Sequence, residues 1–521
     1  MKKITILTYI LSTLLCLTLI TNINAQENNH WYFGDAAVLD FTSAPPTSPF
    51  PSPSAMSTEG GSASVSDALG GLLFYTNGVT VWNKDHIVMP NGSDLGSGDP
   101  FGTSVSQSVV IVPDPSNANK YYIFTNHALS GVFYSVVDMS IDNGDGSFGD
   151  VTINSTPLLA TASEKMTAII NPADNSYWLV VFAVESADDL MQAGLFNNTF
   201  YAFKIHGLGI NNPVVSTVGG PFSADDAFIN PGGQMKISPD GTTLALVHNL
   251  DTPFSDKLFT FDFNSSTGGV SYVQAIILPF VEEDDGFGGI LGQYDILNLY
   301  GVEFSPDSNL LYFSVSEVDD GFGSLGLGAI FQIDFKNTGQ QFQPIQITNG
   351  FPSSYKAMQV GPDLKIYALT ISGELNYIDN PNNIIVDDGM STPDKSVVGF
   401  VDSFLILGQG MTLSKELPSL VPAVFLGKST ATLPKKPVLM GNPAQDDIKL
   451  KFKFIQMYNI ALYNGNGEIP TAVNGGNPLT YDMQNRKIYK LDVRSLAPGT
   501  YYLVVNDEAG QTWYNTTVKV E

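Results

Sequence analysis

Apolar and polar positions between residues 26 and 427 follow one recurring pattern. Two or three apolar residues lead into a turn holding Pro-Asp or Asp-x-x-Gly, and an apolar or aromatic run follows. The pattern stands as VSDALGGLLFYT (65–76), IVPDPSNANKYYIFT (111–125) and INPADNSYWLVVF (170–182). It returns as ISPDGTTLALVH (237–248), FSPDSNLLYFSV (304–315) and VGPDLKIYALT (360–370). Proline presets φ and aspartate bonds to the backbone just beyond it, so each unit predicts two antiparallel strands joined at the turn. Anchors at Asp67, Pro113, Pro172, Pro239, Pro306 and Pro362 are 46, 59, 67, 67 and 56 residues apart. That period suits one four-stranded propeller blade with generous loops. A pair of β-sandwiches also needs many short strands, but it has no reason to repeat this turn at this period.

Six anchors give six blades. Two pieces remain, Trp31 to about Gly61 and about Val397 to Gly427, each too short for a blade and together about the size of one. A seventh blade closed by strands from both chain ends would leave no exposed edge, and seven blades are preferred over six. From Pro437 the pattern changes: KLKFKF (449–454) alternates with period two, as a half-buried strand does. MYNIALYN, KIYKLDV, LAPGTYYLVV and WYNTTVKV bring the tail to about six strands, enough for a small Ig-like β-sandwich. The expected fold is all-β, with a propeller over residues 26–427, a linker over 428–436 and a sandwich over 437–521.

The first 25 residues are of another kind. Lys2 and Lys3 precede an apolar run from Ile4 to Ile20, which ends in Asn-Ile-Asn-Ala. This describes a secretory signal peptide cut after Ala25, against the alternative of a membrane anchor, for which the run is short. The only cysteine, Cys16, lies inside that segment. The mature chain is thus expected to lack disulfides, thiol catalysis and cysteine-bound zinc. No later apolar stretch is long enough to span a bilayer as a helix.

Charge divides the chain at the same place as pattern. Residues 26–427 hold 43 acidic residues against 11 lysines and no arginine, while residues 428–521 hold 8 acidic against 11 basic residues. An acidic field of this size repels phosphate backbones and anionic membranes, which excludes nucleic acid as a partner.

Three resemblances follow from particular segments. ISPDGTTLALVH and FSPDSNLLYFSV look like the blade motif of TolB-like and WD-repeat-like propellers. WYFGDAAVLDF (31–41), LLFYTNGVTVWNKDHIVMPNG (72–92), SQSVVIVPDP (106–115), YYIFT (121–125), YSVVDM (134–139) and LPSLVPAVF (417–425) resemble the propeller-like region of cell-surface proteins from gliding bacteria with type IX secretion. That family implies a surface location and adhesion or motility, with no catalytic residues to carry over. The tail resembles the type A C-terminal sorting domain of type IX secretion substrates. Asn442-Pro443 with Asp446 matches its opening turn, and Leu462 to Gly467 its middle strand and turn. Leu496, Pro498, Gly499 and Tyr501 match its Leu-x-x-Gly-x-Tyr signature, and Lys519 its closing lysine. Gly441 and Asn464 depart from the usual proline and aspartate. The resemblance implies export through the outer-membrane translocon and recognition by a β-barrel shuttle, and places the protein at the cell surface or outside the cell.

Catalytic signals are sparse. The five histidines form no metal-binding spacing, and no Gly-x-Ser-x-Gly elbow occurs. His248 reads as a packed residue, and Glu508 to Trp513 as a hairpin turn rather than a sialidase Asp-box. A non-enzymatic binding, adhesion or motility module is expected, its partner a surface protein or a glycan. Alternatives are a stable extracellular subunit of an outer-membrane complex, and a glycan-binding or glycan-degrading propeller with paired loop carboxylates.

No cofactor is expected beyond Ca²⁺. The sequence Asp-Asp-Gly-Phe-Gly occurs twice, at 284–288 and 319–323, read as loops of adjacent blades, and Asp142, Asp145 and Asp150 form a third cluster. Such turns offer carboxylates and carbonyls to Ca²⁺, though acidic turns that need no ion are the plainer reading. With Asp284, Asp285, Asp319 and Asp320 as ligands, Ca²⁺ is expected to raise the melting temperature and chelator to lower it in calorimetry. An unchanged melt removes the expectation.

Overall fold

The computed structural model describes residues 26–520 apart from 50–51, 99–104, 128–129, 161, 172, 185–197, 219–231, 249–256, 277–280, 285–289, 320–327, 336–344, 349–352, 386–393, 407–415, 422–437, 441–446, 452–456, 465–468, 472–478, 483–487 and 507–511. Ala25 and the segment before it lie outside the described residues. Two compact units, 1–428 and 429–521, are each described by themselves. Among the described residues there is no α-helix, and no helix long and apolar enough to cross a membrane.

The first unit begins with a two-stranded hairpin, β1 (His30–Phe33) and β2 (Ala37–Asp40). Blade I holds β3 (Ala63–Ser66), β4 (Leu72–Thr76) and β5 (Val81–Asn83). Blade II holds β6 (Val109–Asp114), β7 (Asn117–His127), β8 (Gly131–Asp142) and β9 (Phe148–Leu159). Blade III holds β10 (Met166–Asn171), β11 (Ser176–Ala183) and β12 (Thr199–His206), with β13 (Gly209–Ile210) and β14 (Val214–Thr217) both on β12. Blade IV holds β15 (Met235–Ile237), β16 (Thr243–His248), β17 (Lys257–Phe263) and β18 (Val270–Ile276). Blade V runs β19 (Val281–Asp284), β20 (Ile290–Phe304), β21 (Leu311–Asp319), β22 (Ala329–Ile333) and β23 (Ile345–Gln346). Blade VI holds β24 (Tyr355–Val360), β25 (Ile366–Thr370), β26 (Glu374–Ile378) and β27 (Phe400–Ile406).

Each anchor turn joins the two strands predicted for it. In blade IV, Asp240 Oδ1 accepts from Ser238 Oγ, Thr242 N and Thr242 Oγ1, while Ser238 N donates to Thr243 O across the turn. The residue after Pro-Asp sits left-handed, with φ of 67° at Gly241, 60° at Ser308 and 67° at Leu364. Glycine takes this conformation without strain. Ser308 also serves the neighbouring blade, its Oγ accepting from Asp240 N at 2.9 Å.

The core lies in the seams between blades. One apolar layer joins I to II around Phe74, Val109 and Ile123, another II to III around Phe124 and Leu179, and a third III to IV around Phe182 and Phe259. Layers around Phe313 and Tyr312 join IV to V and V to VI. The hairpin β1–β2 completes the ring because its alternation faces both ways. Trp31 and Phe33 pack on Tyr367 and Leu369 of blade VI, while Tyr32 and Val38 pack on Tyr75 and Trp82 of blade I.

The preferred seventh blade is therefore corrected to six blades and a hairpin wedged between the last and the first. Two strands of four residues each fill the gap, and Phe400–Ile406, expected to help close a seventh blade, is the outer strand of blade VI. Beyond β2 no further strand is needed: Asp40 and Thr47 exchange backbone hydrogen bonds, and Ala36 N donates to Met56 O.

Among the described residues the second unit has seven strands, where about six were expected. One sheet runs β28 (Val438–Met440), β29 (Asp447–Lys451) and β32 (Ile488–Asp492). The other runs β31 (Leu479–Asp482), β30 (Met457–Tyr463), β33 (Gly499–Asn506) and β34 (Thr512–Val520). The chain passes between sheets after β29, β31 and β32, as Greek-key sandwiches do.

Trp31 is fully buried at the seam, its ring 4.9 Å from Phe41 and 5.5 Å from Tyr367. Trp31→Ala is expected to cost about 3–5 kcal/mol in chemical denaturation, the range for emptying a large aromatic site. A loss below about 1 kcal/mol would mean that the hairpin does not close the ring.

Candidate functional site

Propeller ligand sites gather where the inner strands face the axis, and among the described residues the segments leading into those strands bond to one another. The segments leading into the inner strands are short, polar and glycine- or serine-rich: Ser-Gln-Ser before β6, Ser-Glu-Lys before β10, Gly-Gly-Gln before β15. Small residues let these segments converge. A Cβ on Gly61 would stand 2.7 Å from Ser108 N, and one on Gly301 would stand 2.4 Å from Lys356 O.

Their side chains clamp the backbone of other blades. Gln107 of blade II accepts from Met235 N at 2.9 Å and donates to Met235 O at 3.0 Å in blade IV. Gln234 Oε1 accepts from Met358 N at 3.0 Å and Val302 N at 3.3 Å. Lys165 Nζ donates to Gly232 O and Gly233 O at 3.0 and 3.1 Å. Glu164 Oε2 accepts from Ser106 N and Oγ at 3.0 and 2.7 Å, and Ser106 Oγ lies 3.1 Å from the Tyr300 hydroxyl.

A strap crosses this cluster. Residues 416–421 come after blade VI in the chain yet touch several blades. Glu416 is 1 % exposed and accepts from Gln234 Nε2 at 2.9 Å. Leu417 joins the layer around Trp31 and Tyr367, Ser419 N donates to Ser62 O at 2.8 Å, and Val421 packs between blades II and III. Burial pushes the Glu416 carboxyl up to about 8, against the hydrogen bonds from Tyr300 and Gln234 and the nearby Lys236 charge. Burial likewise brings the Lys165 ammonium down to about 8, against the pull of Glu164 and Glu416. It holds the Tyr300 hydroxyl well above its ordinary range.

The sequence-predicted residues fall elsewhere. Asp284 ends β19 and Asp319 ends β21, both strands flanking β20, with Asp284 opposite Ile290 and Asp319 opposite Asp295. The two acidic repeats therefore leave the same end of one sheet and belong to blade V, not to adjacent blades. The cause is β20, whose fifteen residues serve both partners. Asp285 and Asp320 lie outside the described residues. The third cluster does not converge: Asp142 caps Gly144 N, Asp145 caps Ser147, and Asp150 accepts from Asn91. Among the described residues no group of three or more His, Cys, Asp or Glu is placed to hold a metal. His248 is buried, with its ring 6.4 Å from Phe259.

In the tail, Asn442, Pro443, Asp446 and Gly467 lie outside the described residues. Leu496 is buried and its N donates to Val493 O at 2.9 Å. Pro498 and Gly499 are exposed at the start of β33, and the buried Tyr501 ring turns its hydroxyl back to Ala497 O at 2.9 Å. That bond ties the corner before β33, as tyrosine corners do in Greek-key sandwiches. Lys519 is exposed on β34, opposite Thr500.

Sequence reasoning missed Gln107, Lys165, Gln234, Tyr300 and Glu416. A signal existed, since an amide or charge stands next to an apolar strand in Ser-Gln-Ser-Val and Ser-Glu-Lys-Met, but nothing in it says that these side chains meet.

A carboxyl that is protonated when folded and ionised when unfolded stabilises fully below about 4.5, and its contribution falls as pH rises toward about 8. Glu416→Gln has no proton to lose, so relative to wild type it is expected to gain stability between pH 5 and 8. Glu416→Ala, which leaves a buried hole and unpaired donors, is expected to lose about 2–4 kcal/mol throughout. Parallel pH profiles for wild type and Glu416→Gln in thermal melts would refute the neutral carboxyl.

Several solved structures resemble the chain in fold alone. PorZ, described as an essential bacterial surface component of the type IX secretion system of Porphyromonas gingivalis, is 11% identical with a TM-score of 0.36. The match covers 93% of this chain, which spans only 62% of PorZ. A putative 6-phosphogluconolactonase from Bacteroides uniformis is 10% identical over 76% of this chain and 94% of its own, with a TM-score of 0.30. The Dos1 propeller is 13% identical over 59% of this chain and 75% of its own, with a TM-score of 0.31. No curated protein matches the sequence. Residues 441–519 match the secretion system C-terminal sorting domain, and the chain is a propeller protein carrying that domain, exported by type IX secretion to the cell surface or beyond.

Proposed function

We propose that the propeller is a non-enzymatic binding module of the cell surface, acting in adhesion or motility, and that its loops, not its axis, meet the partner. The observation that carries this reading is the closed centre. Glu164 and Glu416 accept hydrogen bonds from the protein's own groups, and Glu416 of the strap is buried. A glycan hydrolase needs two carboxylates flanking an open sugar site. The acidic field of the propeller favours a cationic protein partner, with an anionic glycan reached only through a divalent cation. Delivery rests on the sorting domain, through the translocon and its β-barrel shuttle.

The test is recovery of the mature protein from outer membranes with mass spectrometry, alongside a glycan array and a polysaccharide activity screen. Capture of a defined surface protein or glycan without turnover is expected. Stoichiometric recovery with translocon subunits would replace the reading by that of a permanent complex subunit. Polysaccharide cleavage would overturn it.

A further inference from the structure

Three consecutive inner strands carry a reactive polar side chain at one level of the repeat. Lys236, Glu303 and Gln359 each stand three positions before the proline of their turn, in Met-Lys-Ile-Ser-Pro-Asp, Val-Glu-Phe-Ser-Pro-Asp and Met-Gln-Val-Gly-Pro-Asp. Blades II and III have Val110 and Ile169 at the same level. The repeat thus places an amine, a carboxylate and a primary amide on β15, β20 and β24.

The structure brings the three together. Lys236 Nζ lies 2.5 Å from Gln359 Oε1 and 3.3 Å from Glu303 Oε2. The Lys236 and Glu303 side chains are 12% and 7% exposed, and Gln359 is 5% exposed. Backbone contacts hold the acid and the amide in place. Glu303 accepts from Phe304 N at 2.9 Å and Val360 N at 3.1 Å, and Gln359 Nε2 donates to Val360 O at 3.2 Å. A C=O bond of about 1.23 Å puts the amine no more than about 3.7 Å from the amide carbon. That is close to the attack distance of about 3–3.5 Å.

We propose that Lys236 and Gln359 join in an intramolecular isopeptide bond, with Glu303 as the proton carrier, stapling blade IV to blade VI. Glu303, whose Oε2 lies 3.3 Å from Lys236 Nζ, takes a proton from the ammonium. The neutral amine attacks Gln359 Cδ. The tetrahedral adduct then collapses: the Nζ–Cδ bond stays, the Cδ–Nε2 bond breaks, and the nitrogen leaves as ammonia with a proton returned through Glu303. An ammonium side chain and a primary amide become a secondary amide and an ammonium ion, and Glu303 ends as it began. No oxidant or cofactor enters. The mature chain has no cysteine for disulfides, and a bond between residues 123 positions apart constrains the unfolded chain as a long disulfide loop does.

Peptide mapping of the full mature protein decides the matter. The expected result is a branched peptide joining the Lys236 and Gln359 segments, with an intact mass lower than the sequence mass by that of one ammonia. An N-terminal glutamine that cyclises loses the same ammonia, so mass alone is not decisive and the branched peptide is. Glu303→Gln is expected to fold with a cooperative melt at a lower temperature and to lack the branch, and Gln359→Ala to abolish the branch outright. Linear peptides for both segments in the wild-type protein would overturn the proposal, as would a branch located elsewhere. A branch of undiminished yield in Glu303→Gln would overturn the assignment of Glu303.

Discussion

A propeller turns one edge of every inner strand toward its axis, where no further strand stands to pair it. Buried N–H and C=O groups left there without partners would each cost about 1–3 kcal/mol. This chain meets the constraint with side chains. Gln107 pairs both backbone groups of Met235, and Gln234 serves Val302 and Met358 with one oxygen while its amide nitrogen holds Glu416. Blades that are not neighbours in sequence are thereby fastened across the axis, and the seams only have to supply apolar area.

That solution commits the carboxylates of the centre to the protein's own groups. Carboxylates that hold the inner strands together cannot also be offered to a substrate without loosening them. Glu303 shows the point in miniature: each of its oxygens accepts a backbone N–H, one from its own strand and one from the next blade. Most of the acidic residues of 26–427 lie outside these central segments.

The ring was legible in the sequence because the Pro-Asp turn is a local device. Proline, aspartate and the left-handed residue after them act within five positions, so the six blades could be counted from single segments. Tyr501 was legible for the same reason, its partner Ala497 being four residues away. What joins the blades was not. Glu416 lies in an unremarkable Lys-Glu-Leu-Pro-Ser-Leu stretch, and its partner Gln234 is 182 positions distant. The seventh blade failed on size: the residues left over matched a blade in number, yet a hairpin whose two faces pack on different blades closes the ring with two short strands. The acidic repeats were assigned to separate blades because nothing local says that β20 is long enough to serve both.

The contacts of the strap also bear on where the chain can be cut. The strap contributes Leu417 to the hairpin seam, Ser419 to blade I and Val421 to the seam of blades II and III. A chain break before Val421 would free the segment that covers the axis and expose Lys165, Glu164 and Tyr300 to water. Solvation would reverse the burial that raises the Glu416 carboxyl, and the clamps would then compete with water for the same backbone groups. A break in Lys428 to Pro437 leaves every one of these contacts in place.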